Sequence, residues 1–206
     1  MTETAILPAD DPASARRAVE ILGQGGLVAF PTDTVYGVGA LVSKPQAIAQ
    51  LYVVKGRSGE KAIPILLGDL AQLRLVALEV SETARRLAAH FWPGPLTLVL
   101  PKQPWLPGEI SSQSTIGVRM PDHPIALALM SQTGPLAVTS ANLSGGENSV
   151  TALQVLEQLG GLIPLILDGG QTPGGSPSTV VDCTAVEPRI LRPGPVSLEQ
   201  ILEALS

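Results

Sequence analysis

The stretch TIGVRMPDHPIALALMSQTGPLAVTSAN, residues 115–142, decides the fold. Residues 116–120 form a short, mostly apolar run that halts at Pro121 and reads as a strand. Residues 124–131 read as a helix, with Pro124 suited to the first helical position. Residues 136–140 read as a second strand. Strand, helix and strand in succession argue an α/β fold with a largely buried sheet.

The same alternation continues on both sides. Asp11-Pro12 opens a helix carrying Ala15, Ala18, Ile21 and Leu22, which Gly23, Gly25 and Gly26 end. Residues 27–30 are a buried strand stopped by Pro31. Residues 45–54 place Ile48, Leu51 and Tyr52 at helical spacing. Residues 63–67 form a buried strand, and Ser81 caps a helix running to about His90. The corner Trp92-Pro93-Gly94-Pro95 precedes a strand at 96–100. A helix at 151–159 is followed by strands at 162–167, 179–183 and 190–191. Ser197 caps a last helix through Leu205. The expected architecture is a twisted mixed sheet flanked by helices, with a concave ligand crevice at strand ends.

Composition narrows the classes. The chain has 206 residues, one domain's worth, and no break in composition divides it, so residues 1–206 are expected to form one domain. Charged residues make up 15%, too few for charge-driven disorder. Gly 21 and Pro 19 together are 40 of 206 residues, without a period, which points to rigid, sharply turned loops, read here as the rim of the crevice. Two Phe, two Trp and two Tyr leave little for a base-stacking platform. The net charge of −5 argues against a strongly basic nucleic-acid footprint. One cysteine, Cys183, excludes an intrachain disulfide and a cysteine-rich metal site. With no secretory leader and no apolar run long enough to span a membrane, the expectation is a cytoplasmic protein with no membrane partner.

The polar residues that could carry chemistry sit where strands end, the usual place for ligands in α/β sheets. Lys55-Gly56-Arg57 follows a helix. It is either a solvated helix end, where cations suit the dipole, or a pair of cations turned by Gly56 onto one anion. Ser140-Ala141-Asn142 runs into Ser144-Gly145-Gly146, a turn that either bonds to itself or cradles phosphate oxygens. Arg119, on an apolar strand, needs a partner: one of the 18 carboxylates or a ligand carboxylate. Arg192, between Leu191 and Pro193, poses the same choice. No glycine-rich Walker pattern, Rossmann fingerprint, Gly-x-Ser-x-Gly elbow or zinc-ligand spacing is present. His90 and His123 read as structural, and Cys183 as buried and inert. The chemistry therefore rests on positioning and charge stabilisation rather than on a covalent intermediate.

Taken in order, these segments resemble the YrdC-like family of threonylcarbamoyl-adenylate synthases. Residues 31–39 are similar to its opening Pro-Thr-Glu-Thr-Val-Tyr-Gly-Leu-Gly. Lys55-Gly56-Arg57 and Ser140-Ala141-Asn142 resemble its Lys-x-Arg and Ser-x-Asn signature. Trp92-Pro93-Gly94-Pro95-Leu96-Thr97, Val118-Arg119-Met120-Pro121 with His123-Pro124, Ser178-Thr179 and Leu191-Arg192-Pro193-Gly194 also fit, so the resemblance runs from about residue 12 to 196.

The resemblance implies a reaction: L-threonine, bicarbonate and ATP give L-threonylcarbamoyl-adenylate and pyrophosphate. The product would pass to the machinery that modifies an adenosine beside the tRNA anticodon. It also implies roles. Lys55, Arg57, Ser140 and Asn142 would form the catalytic phosphate site. Lys61, Thr115, Asn148 and Arg192 would complete the ATP site. Thr32, Arg119, Val138 and Ser178 would hold threonine, Arg119 facing its carboxylate. Mg²⁺ would be held mostly by phosphate and water, with no residue of the chain expected as a metal ligand. Three departures stand out. Asp33 replaces the usual Glu. No His lies in residues 61–66, where some relatives carry one near the place of Leu66. Val138-Thr139 stands where many relatives have Ala-Pro. Two alternatives compete with the synthase: a double-stranded RNA or tRNA-binding module, with weak tRNA binding, and a carbamoyl-adenylate-forming unit using carbamoyl phosphate.

Overall fold

Ten strands, most only three to six residues long, line up into one mixed sheet in the computed structural model, which describes residues 3–56, 62–173, 176–185 and 187–206. In chain order the elements are β1 (Ala5–Pro8), α1 (Pro12–Gly23), β2 (Val28–Phe30), β3 (Gly37–Leu41), α2 (Pro45–Lys55), β4 (Ile65–Leu66), a 3-10 turn (Leu70–Gln72), α3 (Leu73–Val76), α4 (Glu82–Phe91), β5 (Leu96–Pro101), β6 (Thr115–Arg119), α5 (Pro124–Thr133), β7 (Leu136–Ser140), α6 (Ala152–Leu159), β8 (Leu165–Asp168), β9 (Thr179–Asp182), β10 (Arg189–Arg192) and α7 (Leu198–Leu205). The strand order is β1-β8-β2-β3-β7-β4-β6-β5-β9-β10. β1 and β2 run parallel to β8, β4 to β6, and β5 to β9; the other pairings are antiparallel.

Helix starts follow the capping chemistry. The side chains of Asp11, Ser81 and Thr151 accept from the backbone N–H of Ala13, Ala84 and Gln154. Ser197 and Gln200 close a reciprocal capping box at α7. Three strand expectations shift. Residues 63–67 shrink to β4 and 162–167 shift to β8 at Leu165–Asp168, because only part of each apolar run reaches a pairing partner. Residues 37–41, read as glycine-rich rim, are strand β3 in the middle of the sheet, so Gly37 and Gly39 lie in a strand and not in a loop. Their glycines are there for close approach. A Cβ on Gly37 would lie 2.7 Å from Val138 Cγ1, and one on Gly39 would lie 3.2 Å from Phe30 Cε1. Val138 is buried and β-branched, so it cannot swing aside. Gly37→Ala is expected to cost about 1–3 kcal/mol through overpacking, read as a lower urea midpoint at unchanged slope.

The faces of the sheet are covered unequally. On one face, apolar residues of α2, α4, α6 and α7 join Ile65, Leu96, Leu98, Leu100, Ile116, Val118 and Val181 in the larger core. On the other, α1 and α5 pack Ala18, Leu22, Leu129 and Met130 against Val28, Phe30, Leu136, Val138 and Leu165, in the half of the sheet around β2, β7 and β8. Alternation along β5, β6 and β9 turns Thr97, Val99, Gly117, Arg119 and Val180 to that second face, where they line a cavity instead of a helix.

Candidate active site

The cavity measures about 410 Å³. Strand register assembles its walls: Gly37 pairs with Ser140, Leu66 with Arg119, and Thr97 with Val180. Of the residues singled out from sequence, Thr32, Arg119, Val138, Ser140, Asn148, Ser178 and Arg192 line it. Leu66 lines it too, as its place in the sequence suggested. Lys55, Thr115 and Asn142 are not among the lining residues, although Thr115 shares a strand face with Gly117 and Arg119. Arg57 and Lys61 lie outside the described residues.

Arg119 sits at the end of β6 and is almost fully enclosed. Its Nε donates to Gly94 O at 2.9 Å, its Nη1 to Thr34 Oγ1 at 3.2 Å, and its Nη2 to Asp33 Oδ1. The choice left open by the sequence is thus partly answered: an internal carboxylate pairs with Arg119, and the guanidinium still faces the cavity. Burial pulls the Arg119 pKa down, Asp33 opposes that, and the nearby positive charge of Arg192 adds to the lowering. A guanidinium has five N–H donors. Three bonds leave one N–H on each terminal nitrogen for a further acceptor.

Two hydroxyl systems flank it. Thr32 donates to Val35 O at 2.6 Å, and its oxygen lies 3.1 Å from Thr34 Oγ1 and accepts from Thr34 N. With its proton committed to Val35 O, Thr32 takes the Thr34 proton, and its hydroxyl has no capacity left for a ligand. Thr32 therefore shapes the loop that carries Thr34. Across the cavity, Thr97 Oγ1 and Ser178 Oγ share one hydrogen bond of 2.8 Å, both side chains buried. Two hydroxyls sharing one bond retain one proton to give. Arg192 donates to Ser178 O through Nε and Nη2, at 3.2 and 2.8 Å, and so fixes the segment holding that pair.

Lys55 lies behind the other wall. It ends α2, is 3% exposed, and its ammonium donates to the carbonyls of Ser140 and Asn142. Gly56 supplies the left-handed C-cap with φ +58°, and Ser144 N donates to Lys55 O at 2.8 Å. The positive charge is thus built under the Ser140–Asn142 turn. Asn142 donates to Leu143 O and Gly146 O, while its Oδ1 is buried with no partner among the described residues. The Ser140 hydroxyl makes no hydrogen bond among the described residues.

Thr34, Asp33 and Thr97 were missed as contributors to the site. Thr97 had a signal: it is the polar residue at an inward-facing position of an otherwise apolar strand. Thr34 and Asp33 stood in the Pro31–Gly37 segment that the sequence marks out, but with no role, since only the fold brings them to Arg119 across 85 residues or more. His90 lies in the last turn of α4, His123 precedes α5, and Cys183 is buried with its thiol pushed up to about 12 by burial.

Comparison with known proteins places these features. The family model Sua5_yciO_yrdC, described as "Telomere recombination", matches residues 20–194. A protein of Pyrococcus abyssi named threonylcarbamoyl-AMP synthase is 44% identical over 188 residues, covering 90% of this chain and 55% of that protein. A Bacillus subtilis protein of the same name is 41% identical over 198 residues, covering 95% and 57%. The crystal structure of Pyrococcus abyssi Sua5 complexed with L-threonine superposes with a TM-score of 0.92 at 40% identity, covering all of this chain and 61% of that one. The chain thus spans a little over half the length of these relatives. With the model match covering most of its length, the chain belongs to the Sua5/YciO/YrdC family.

Proposed function

We propose that the protein is an L-threonylcarbamoyladenylate synthase, supplying an activated threonylcarbamoyl group for tRNA modification. The observation that carries this reading is Arg119: a buried guanidinium with two N–H groups left over, facing a cavity with a free hydroxyl proton on one side and a backbone turn on the other. That set fits an α-amino acid bound by its carboxylate beside an anionic nucleotide. It is supported by relatives that carry the synthase name and by the related structure that holds L-threonine.

The threonine carboxylate would take the two remaining N–H groups of Arg119. The Thr97–Ser178 pair and the apolar wall of Leu66, Val138 and Val180 would face its side chain. The nucleotide would lie along Ser140, Asn142, Asn148, Thr115 and Arg192, with Lys55 beneath the turn; the resemblance adds Arg57 and Lys61 to its contacts. The threonine amine attacks the bicarbonate carbon, and water leaves, giving a carbamate. A carbamate oxygen then attacks the α-phosphorus of ATP. The bond between the α-phosphorus and the bridging oxygen breaks, and pyrophosphate departs. Every species in this sequence is anionic or becomes so, and preset cations and N–H donors stabilise the charge on the phosphoryl group as it transfers.

Mg²⁺ is expected as part of the MgATP substrate. Among the described residues no three of His, Cys, Asp and Glu gather, and Asp33 is engaged by Arg119. Among the described residues no helix is long and apolar enough to cross a membrane. The test is pyrophosphate release in the presence of ATP, bicarbonate, Mg²⁺ and L-threonine. Release that depends on both threonine and bicarbonate is expected. Release with carbamoyl phosphate and no threonine would overturn the reading in favour of a carbamoyl-adenylate-forming unit.

A further inference from the structure

We propose that Asp33 is the positioning residue for the substrate carboxylate: it fixes which edge of the Arg119 guanidinium faces the cavity. The inference rests on the reading of Arg119 given above.

The argument begins with the geometry of the fork. Arg119 is tied at all three nitrogens, by Gly94 O at Nε, Thr34 Oγ1 at Nη1 and Asp33 Oδ1 at Nη2. Two of these partners are neutral. Asp33 is the only charged one, and a charge-assisted bond is about twice as strong as a neutral one. Both side chains of the ion pair are mostly withdrawn from solvent, at 7% and 12% exposure, so water screens the pair little.

The second oxygen of the same carboxylate matters as well. Asp33 Oδ2 is buried with no hydrogen-bond partner among the described residues. Had both oxygens gripped Arg119, both terminal nitrogens would be closed on that side. The single-point contact at Nη2 instead holds the plane and leaves one N–H on each terminal nitrogen for a ligand. Asp33 also counters a like-charge problem. Arg192 faces the same cavity, and its charge acts on Arg119. Without the carboxylate, two guanidiniums would be held at one cavity with no anion between substrate cycles. Asp33 itself is not among the lining residues, so it acts through Arg119 and not on substrate.

The test compares wild type with Asp33→Asn, which keeps the shape and removes the charge, and Asp33→Glu, which keeps the charge and adds one methylene. Pyrophosphate release is measured with threonine varied, and then with ATP varied. Asp33→Asn is expected to raise the threonine KM about 30-fold, with the ATP KM within about twofold of wild type, since a misplaced clamp costs of this order. Asp33→Glu is expected to recover most of that, to about threefold above wild type, again without moving the ATP KM. An unchanged threonine KM in Asp33→Asn overturns the inference, as does a parallel rise in both KM values that Glu does not relieve. If Asp33→Asn does not fold, Asp33→Ser takes its place: a threonine-selective rise in KM that Asp33→Glu does not show supports positioning, and an unchanged threonine KM overturns it. Wild type without threonine-dependent release refutes the synthase reading, and the inference falls with it; an active wild type with unshifted variants refutes the inference only.

Discussion

Arg119→Lys is expected to lower threonine-dependent pyrophosphate release about 100-fold, chiefly through the threonine KM. Lysine keeps the charge but replaces a planar fork by a point donor. The three partners of Arg119 are spaced for nitrogens that lie in one plane, and an ammonium cannot meet Gly94 O, Thr34 Oγ1 and Asp33 together while also presenting two donors to a ligand. Arg119→Ala goes further. It removes the clamp and leaves the Asp33 carboxylate buried without its cation, which costs about 3–5 kcal/mol for a broken buried pair. Chemical denaturation read beside steady-state kinetics separates the two losses. A lysine variant with the wild-type threonine KM would refute the assignment of the carboxylate to this residue.

Lys55→Met is expected to abolish detectable turnover and to lower stability by about 3 kcal/mol. The stability loss follows from two carbonyls losing a charged donor in a buried place, at about 1.5–3 kcal/mol each before relaxation. The loss of turnover follows from position. Lys55 holds Ser140 O and Asn142 O at once, so its ammonium sets the path of the turn that joins β7 to the Ser144–Gly146 segment. Methionine keeps the stem volume and supplies no donor. Urea unfolding and pyrophosphate release check both halves. Activity retained alongside lowered stability would restrict Lys55 to the fold.

The residues most legible in the sequence were those whose chemistry is local. Asp11, Ser81 and Ser197 announced their helices because a cap needs only neighbours two or three residues away. Arg119 announced itself as a cation that an apolar strand cannot leave unpaired. What stayed hidden depended on pairing across the chain. β3 reads as loop until Val138 and Phe30 are seen to need the space that Gly37 and Gly39 leave. Lys55 reads by charge alone as a solvated helix end or a ligand contact, and only the approach of the Ser140–Asn142 turn shows its ammonium turned inward. Thr32 reads as a substrate hydroxyl until the bonds inside its own loop are counted. Asp33, noted at first only as one carbon shorter than the family's glutamate, gains its meaning from a guanidinium 86 residues away.

The β5–β9 pairing sets a schedule for the growing polypeptide. Leu96 to Val99 wait for Thr179 to Asp182 before that edge of the sheet exists. Ser178 and Arg192 arrive with the same late segment. A nascent chain emerging from the ribosome therefore holds Arg119, Asp33 and the Ser140–Asn142 turn well before it owns the wall that closes the cavity over them. Until the last strands dock, Thr97 and Val99 face water, and the catalytic crevice is an open shelf.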